Sequence, residues 1–116
     1  MKHVKNAHMG THLHVEVYNV PFEKLNDAKK IDQVCVDACN IEGVQVLITY
    51  THHFDPYGVT CNLTLGDSHL YCHTWPEKSC VAFDIFTCGS KNPRCVAFWV
   101  LEYFDTDDYV MNDYAR

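Results

Sequence analysis

The sequence has no long hydrophobic run, although 47% of its 116 residues are hydrophobic. No stretch approaches the roughly 20 apolar residues that a membrane-spanning helix needs, so we expect no membrane partner. The first ten residues, MKHVKNAHMG, also lack the apolar segment of a secretory signal peptide. The composition therefore predicts a globular protein of the cytoplasm.

Basic residues are scarce in this chain. It has 9 Lys and Arg residues against 15 Asp and Glu residues, which gives a formal net charge of -6. Proteins that bind nucleic acid usually present a basic surface to the phosphates, and the sequence offers no such stripe. We therefore expect no nucleic-acid partner, and a cationic or zwitterionic substrate suits the chain better.

The 7 cysteines and 8 histidines lack the spacings of common metal sites. No Cys-x-x-Cys pair is present, and His69 and His73, which differ by four positions, stand on a predicted strand and not on a zinc-binding helix, so we expect no metal. An odd cysteine count without a signal peptide also argues against a disulfide framework. We expect most cysteines, among them Cys61, Cys72, Cys80 and Cys95, to be reduced and buried as small hydrophobic residues. We expect Cys88 to differ because it ends a predicted strand. The histidines considered as ligands are His12, His14, His52, His53, His69 and His73.

Hydrophobic periodicity predicts an α+β fold made of one domain, residues 1–116. Period-two alternation indicates strands, whereas apolar spacings of three and four after Asn26 or Asp27, and after Asn92-Pro93, indicate helices. The predicted strands cover residues 11–18, 44–50, 59–65, 69–75 and 80–87, and the predicted helices cover residues 28–41 and 94–104. A polar loop is expected at 51–58, and the acidic tail from Asp105 is read either as frayed or as a short edge strand.

This order of elements favours a two-layer α/β sandwich, in which an antiparallel sheet carries two helices on one face. The other face of the sheet would remain uncovered. Because an uncovered face is usually buried against a partner, we expect a homodimer.

Three reactive side chains stand in the central segment, residues 66–89: Ser68, His73 and Cys88. Two adjacent strands could bring all three together, although Ser68 and His73 differ by five positions and need a turn to meet. Ser68 in Gly-Asp-Ser is most often an ordinary turn residue. It does not belong to a hydrolase nucleophile elbow, because Leu70 stands where the second glycine is required.

Several short motifs occur in a fixed order along the chain. They are DSH at 67–69, HTWPE at 73–77 and FTCG at 86–89, preceded by HL at 12–13, HF at 53–54 and PYGVT at 56–60. Together they resemble the S-adenosylmethionine decarboxylases of the short bacterial and archaeal type, and the similarity covers most of residues 11–104. The resemblance implies the two-layer sandwich already predicted, dimerised with its active sites near the interface.

The resemblance also implies a proenzyme that cuts its own backbone between Asp67 and Ser68. Ser68 would then become a pyruvoyl group, the cofactor that forms a Schiff base with the substrate amine. The products would be chains 1–67 and 68–116, both retained in the fold. The family usually has glutamate before the processing serine, whereas this chain has Asp67.

Five further residues match positions with known roles in the family. By resemblance, His73 is the processing base, Thr60 assists processing, and Cys88 donates a proton to the carbanion left by decarboxylation. Phe54 matches the aromatic residue that stacks on adenine, and Glu77 matches the carboxylate that binds the ribose hydroxyls.

The resemblance favours conversion of S-adenosylmethionine to its decarboxylated form, the aminopropyl donor for spermidine synthesis. Two alternatives remain open from the sequence. The same pyruvoyl chemistry acts on L-ornithine or L-arginine in some relatives, and a chain with Asp67 could instead be a non-processing regulatory partner of an active relative.

Overall fold

One antiparallel sheet with helices against a single face forms the fold, as the computed structural model describes it for residues 9–89 and 91–116. The strands are β1 (Gly10–Val17), β2 (Ile48–His53), β3 (Val59–Leu65), β4 (Ser68–Trp75), β5 (Cys80–Cys88) and β6 (Tyr109–Ala115). The helices are α1 (Phe22–Leu25), α2 (Ala28–Ile41) and α3 (Pro93–Phe104), and Pro76–Lys78 form a 3-10 turn. The strand order is β2-β3-β4-β5-β1-β6. The predicted α+β sandwich is confirmed.

Both long helices begin at side-chain caps. The Asp27 carboxylate accepts a hydrogen bond from the backbone nitrogen of Lys30 at 3.1 Å, and the Asn92 side chain accepts one from the backbone nitrogen of Arg94 at 3.0 Å. Each cap satisfies a donor that the first helical turn leaves without a partner. Of the two cap candidates for α2, the structure selects Asp27.

The core lies between the helices and the face of the sheet that they cover. Residues of β3 and β5 alternate strictly between this buried face and the opposite face. Helix α2 contributes Ile31, Cys35, Ala38 and Cys39, whose spacing places them on one side of the helix. Two buried threonines of the described residues, Thr74 and Thr87, join this core. The Thr74 hydroxyl donates to the carbonyl of Leu25 at 2.6 Å and accepts from the nitrogen of Val59 at 2.9 Å.

The structure corrects the predicted position of the second strand. We predicted a strand at 44–50 and a loop from residue 51, but β2 begins at Ile48 and continues to His53. The hydroxyls of Thr49 and Thr51 both donate to the Asp32 carboxylate of α2. These contacts fix where the strand lies on the helix layer, and a local hydrophobic pattern does not encode them.

The acidic tail forms a full strand instead of fraying. Strand β6 pairs with β1 from Tyr109 opposite Val17 to Ala115 opposite Thr11, and it becomes one edge of the sheet. Of the two interpretations left open, the edge strand is therefore correct. Helix α1 was not predicted at all.

Two cysteines differ from the predicted burial. Cys61 and Cys72 are buried as expected, whereas Cys80 is only partly buried and Cys95 is exposed on α3. No helix among the described residues is long and apolar enough to cross a membrane. The prediction on the first ten residues falls mostly on residues 1–8, which lie outside the described residues.

The sheet face opposite the helices is not covered by any described element, and we call it the open face. Strand alternation places on it a band of partly exposed aromatic and aliphatic side chains. They include Ile48, Tyr50, Tyr71, Trp75, Val110 and Tyr114, with exposed fractions from 36% to 63%.

Candidate active site

A tight hairpin holds the Ser68 end of the candidate site. Residues 66 and 67 connect β3 to β4, and Leu65 pairs directly with Ser68 across the turn. Gly66 has a left-handed φ of 62°, a conformation that glycine adopts without strain. The sequence Gly-Asp-Ser therefore forms a turn, and Ser68 is the first residue of a central strand.

Three groups meet at this hairpin. The Ser68 hydroxyl donates to the Asp67 carboxylate at 3.2 Å, and the Cys88 thiol donates to the Asp67 backbone carbonyl at 3.5 Å. Cys88 is brought here because β5 pairs with β4 and ends beside the turn. A hydroxyl and a thiol thus both contact Asp67, and the thiol donates to the backbone carbonyl that precedes Ser68.

The reactivity of Cys88 differs from that of the thiols in the core. Burial raises the pKa of Cys39 to about 12, and the hydrogen bond that the Cys61 thiol donates to Cys35, together with burial, holds the pKa of Cys61 far above its ordinary value. These buried thiols stay protonated and unreactive, because only the thiolate is a strong nucleophile. Cys88 is partly exposed at the edge of the open face.

A second group of predicted residues lies further along β4. Thr60 and His73 are direct cross-strand partners on the open face. The Thr60 hydroxyl and the His73 Nδ1 atom are 3.0 Å apart, which is hydrogen-bond distance. Thr60 and His73, each predicted to take part in processing, are therefore in contact.

A pocket of about 340 Å³ adjoins this pair. It is lined by Phe54, Tyr57, Thr60, His73, Trp75 and Glu77, among others. The loop that carries Phe54 is held by Asn26, whose side-chain oxygen contacts His53 Nε2 and accepts from the nitrogen of Gly58, both at 2.9 Å. The two residues predicted to bind substrate, Phe54 and Glu77, thus line one pocket.

The structure does not bring Ser68 and His73 together within one chain. They are five residues apart on an uninterrupted strand, so they lie about 16 Å apart and point to opposite faces. The expectation that two adjacent strands gather Ser68, His73 and Cys88 is therefore wrong for His73. Strand β4 has no turn between residues 68 and 73, and such a turn would be needed for them to meet.

Two imidazoles and a carboxylate also converge on the open face, between the Ser68 hairpin and the Thr60–His73 pair. His12 Nε2 and His69 Nε2 lie 2.9 Å and 3.1 Å from the same Asp84 oxygen, Oδ2. His14 Nε2 lies 3.4 Å from His12 Nδ1. We call His12, His69 and Asp84 the His-Asp cluster.

Comparison with known proteins places this geometry in a family. Residues 11–116 match the family model described as S-adenosylmethionine decarboxylase. The chain belongs to this family. It is 37% identical over 109 residues to the S-adenosylmethionine decarboxylase proenzyme of Syntrophomonas wolfei, covering 93% of this chain and 86% of that protein. The corresponding proenzyme of Moorella thermoacetica is 39% identical over 109 residues, covering 93% and 87%.

A solved member of the S-adenosylmethionine decarboxylase family has the same fold. The adenosylmethionine decarboxylase of Aquifex aeolicus superposes with a TM-score of 0.87 at 21% identity, covering 94% of this chain and 91% of that chain. The resemblance drawn from the short motifs is confirmed.

Sequence reasoning missed the His-Asp cluster as a unit. Its histidines were tested only against the spacings of helical zinc sites, although they stand on strands. Strand alternation already placed His12, His69 and Asp84 on one face, but their convergence depends on the register that joins β1, β5 and β4.

Proposed function

We propose that the protein is a self-processing, pyruvoyl-dependent decarboxylase that acts on S-adenosylmethionine. The observation that carries this proposal is the hairpin, where the Ser68 hydroxyl and the Cys88 thiol both contact Asp67. The names of its relatives support the same chemistry and do not favour the ornithine, arginine or regulatory alternatives.

The hairpin is suited to cleavage of the bond before Ser68. The Ser68 oxygen attacks the Asp67 carbonyl carbon, and the peptide nitrogen leaves as the amine while an ester forms. Hydrogen bonding from Cys88 to the carbonyl oxygen stabilises the negative charge that develops there. Removal of the Ser68 α-proton then breaks the ester, and the backbone carboxyl group of Asp67 leaves as the new C-terminal carboxylate. Water finally replaces the Ser68 nitrogen, which leaves as ammonia.

The residues present fit the pyruvoyl group that this sequence of steps would leave at position 68. That group supplies an electron sink for the electron pair released when carbon dioxide departs. Cys88 lies within reach of the same position and donates the proton that replaces the lost carboxylate. Chains 1–67 and 68–116 remain paired in one sheet.

A second copy of the chain completes the site. Within one chain, His73 lies about 16 Å from Ser68, whereas two sheets packed face to face are about 10 Å apart. The open face carries both Cys88 and His73, towards opposite ends of the sheet. Two open faces related by a twofold axis would place His73 and Thr60 of one copy over the hairpin of the other.

The pocket beside His73 determines the substrate in this proposal. Phe54, Tyr57 and Trp75 give it an aromatic lining that can hold a flat base and attract a sulfonium cation, and Glu77 offers acceptors for ribose hydroxyls. Ornithine has no planar group to stack on this lining, and arginine can stack only its guanidinium. Neither has a ribose for Glu77 to bind. The pocket therefore favours S-adenosylmethionine.

The reaction is expected in the cytoplasm. All seven cysteines are free in the structure, and the proton donor Cys88 works only as a reduced thiol. A reducing compartment keeps it in that form.

Mass measurement and carbon dioxide release test the proposal together. The intact mass of the purified, denatured protein should show two chains, with a pyruvoyl group in place of Ser68. Carboxyl-labelled S-adenosylmethionine, ornithine and arginine are then supplied separately, and release should come from the first. An uncut chain, or release from ornithine or arginine alone, would contradict the proposal.

Co-expression tests whether the site is shared between copies. Ser68→Ala and His73→Ala chains, distinguished by a mass tag, should each remain uncut when produced alone. When they are produced together, the His73→Ala chain should be cut, because its Ser68 meets His73 of the other copy. If neither chain is cut in the mixture, the site is not shared in this way.

A further inference from the structure

The His-Asp cluster takes no part in the proposed reaction, yet it has the composition of a metal site. Its three donor atoms, two imidazole nitrogens and one carboxylate oxygen, all lie within 4.8 Å of one another. They come from β1, β4 and β5, three neighbouring strands, so the sheet itself holds them in place. Such a site is formed by folding and needs no flexible loop.

The spacing of these donors is close to what a metal ion requires. Ligand distances of about 2.1 Å around a tetrahedral ion place the donor atoms roughly 3.4 Å apart. The two distances from Asp84 Oδ2 to the histidine nitrogens, 2.9 Å and 3.1 Å, differ from that value by a few tenths of an ångström. The two histidine nitrogens lie within 4.8 Å of each other, so all three donor atoms are in the range from which side-chain rotation can bring them onto one ion.

One histidine of the cluster is already oriented for ligation. His12 presents Nε2 to Asp84, and its other nitrogen, Nδ1, lies 3.4 Å from His14 Nε2. Metal-binding histidines usually hold their second nitrogen in a hydrogen bond, which fixes the ring and its tautomer. His14 would have this orienting role for His12.

The surroundings favour a cation. The side chains of His12, His69 and Asp84 are between 20% and 30% exposed, so an ion can reach them while much of its hydration is replaced. A pocket of about 310 Å³ beside the cluster is lined by Asp84 and Glu16, and no lysine or arginine lines it within the described residues. One Glu16 oxygen, Oε2, is buried without a hydrogen-bond partner in the part of the chain that the structure describes.

We propose that His12, His69 and Asp84 bind one divalent transition-metal ion, of the zinc class, on the open face of the sheet. Imidazole ligands select zinc, cobalt, nickel and iron over magnesium and calcium, which prefer oxygen donors alone. The adjoining pocket leaves room for water as a further ligand. The ion would join three strands at the face where the second copy is expected to pack.

Cobalt binding tests this inference directly on the purified full-length protein, stripped with a chelator. Co²⁺ should produce visible d–d absorption with one ion per chain, and Zn²⁺ should displace it. Millimolar Mg²⁺ should leave the absorption unchanged, because a site that requires imidazole donors does not favour it. If Co²⁺ gives no absorption, or if Mg²⁺ displaces it as readily as Zn²⁺ does, the proposal is overturned.

Two variants and a matched control locate the ion. His69→Gln and Asp84→Asn should each weaken cobalt binding by more than about 100-fold, since removal of even an outer hydrogen-bond partner costs 10- to 100-fold. His52→Gln changes an exposed histidine on β2 and should bind as the parent does. Circular dichroism checks that each variant is folded. If His69→Gln does not fold, Asp84→Asn alone tests the proposal. Equal loss in the His52 variant, or unchanged binding in the cluster variants, overturns the proposal.

The metal test is independent of the proposed decarboxylation. All three ligands belong to one chain, so the Ser68→Ala protein should bind cobalt as well as the parent does. Metal binding without decarboxylation would support the metal site and contradict the proposed function. Decarboxylation without metal binding would support the proposed function and overturn the metal site.

Discussion

The helix-covered face and the open face of the sheet alternate along the same strands, yet their side chains differ in chemical type. In β5, Ile85 is fully buried against the helices, whereas its neighbours Asp84 and Phe86 point to the open face. The covered face is built mainly from aliphatic residues, with Phe83, two threonines and protonated thiols. The open face carries five strand histidines, a band of partly exposed aromatic residues and Cys88: the histidines are His12, His14, His52, His69 and His73.

Residues of the covered face therefore contribute to folding stability, whereas their neighbours on the open face are available for binding and catalysis. Burial of apolar side chains is the main source of folding free energy, and it needs no reactive group. Partly exposed polar groups add little to stability, but they can contact a substrate, an ion or a second chain. Adjacent residues in one strand should therefore respond in opposite ways to mutation, and the following experiments test that separation.

The largest effect is expected at the hairpin that adjoins the open face. Ser68→Ala removes the attacking oxygen, so we expect one uncut chain and complete loss of decarboxylation with the fold intact. Intact mass and carbon dioxide release measure both effects. Ser79→Ala, at another turn, serves as the control and should be cut normally; a cut Ser68→Ala chain would refute the assignment.

Cys88→Ala should separate cleavage from turnover. We expect the chain to be cut more slowly, because the attacking hydroxyl remains while the hydrogen bond to the Asp67 carbonyl is lost. Once the chain is cut, kcat should fall by about 10² to 10⁴, the usual contribution of a positioned acid. Thermal stability should change little, since Cys88 is not part of the core. Cys95→Ala, which removes an exposed thiol, should keep full activity. An active Cys88→Ala enzyme would show that another group donates the proton.

Ile85→Ala lies on the same strand but faces the helices, and it should have the opposite effect. Removal of this buried side chain should lower the free energy of unfolding by about 2 to 5 kcal/mol. At a temperature where the variant is folded, its kcat should match that of the parent. Urea unfolding at one fixed protein concentration measures the change, and Ile41→Ala, at a residue that is 57% exposed, is the control. A loss of kcat larger than the loss of folded protein would contradict the separation.

The effect that is smallest per pH unit concerns the thiols of the covered face. The pKa of Cys39 is raised by burial to about 12 from an ordinary value of 9.0, so the unfolded chain releases this proton first as the pH rises. Stability is therefore complete below pH 9 and should fall between pH 9 and 12, by about 1.4 kcal/mol per pH unit for each such thiol.

Unfolding midpoints under reducing conditions at several pH values in this range measure the slope. Cys39→Ala should make the slope shallower, whereas Cys95→Ala should leave it unchanged. An identical slope in the Cys39 variant would show that its thiol does not titrate differently on folding.

The sequence was sufficient to predict the covered face. Alternation in strands such as β5 and three-four spacing in α2 reflect burial, and burial is a local consequence of side-chain type. The helix caps could be predicted for the same reason, with Asn92 for α3 and either Asn26 or Asp27 for α2. The family could also be predicted, because several short motifs occur in one order.

Features that depend on pairing between distant segments could not be predicted. The start of β2 is set by Asp32 on another element, and the acidic tail becomes β6 only because β1 offers it a free edge. The His-Asp cluster joins His12 to Asp84, 72 positions away. The separation of Ser68 from His73 was present in the sequence as five strand positions, and the structure shows that no turn intervenes.

The strand order has a consequence for folding kinetics. After the proposed cut before Ser68, the first chain keeps β1 to β3 and the second keeps β4 to β6, yet β1 lies between β5 and β6. Refolding of the uncut precursor chain can begin as a unimolecular reaction, whereas the cut chains must find each other first, so their refolding rate depends on concentration. The interleaved strands would thus keep the cut protein folded, but once unfolded at low concentration it would refold only slowly. Its persistence would then depend on the rate of unfolding.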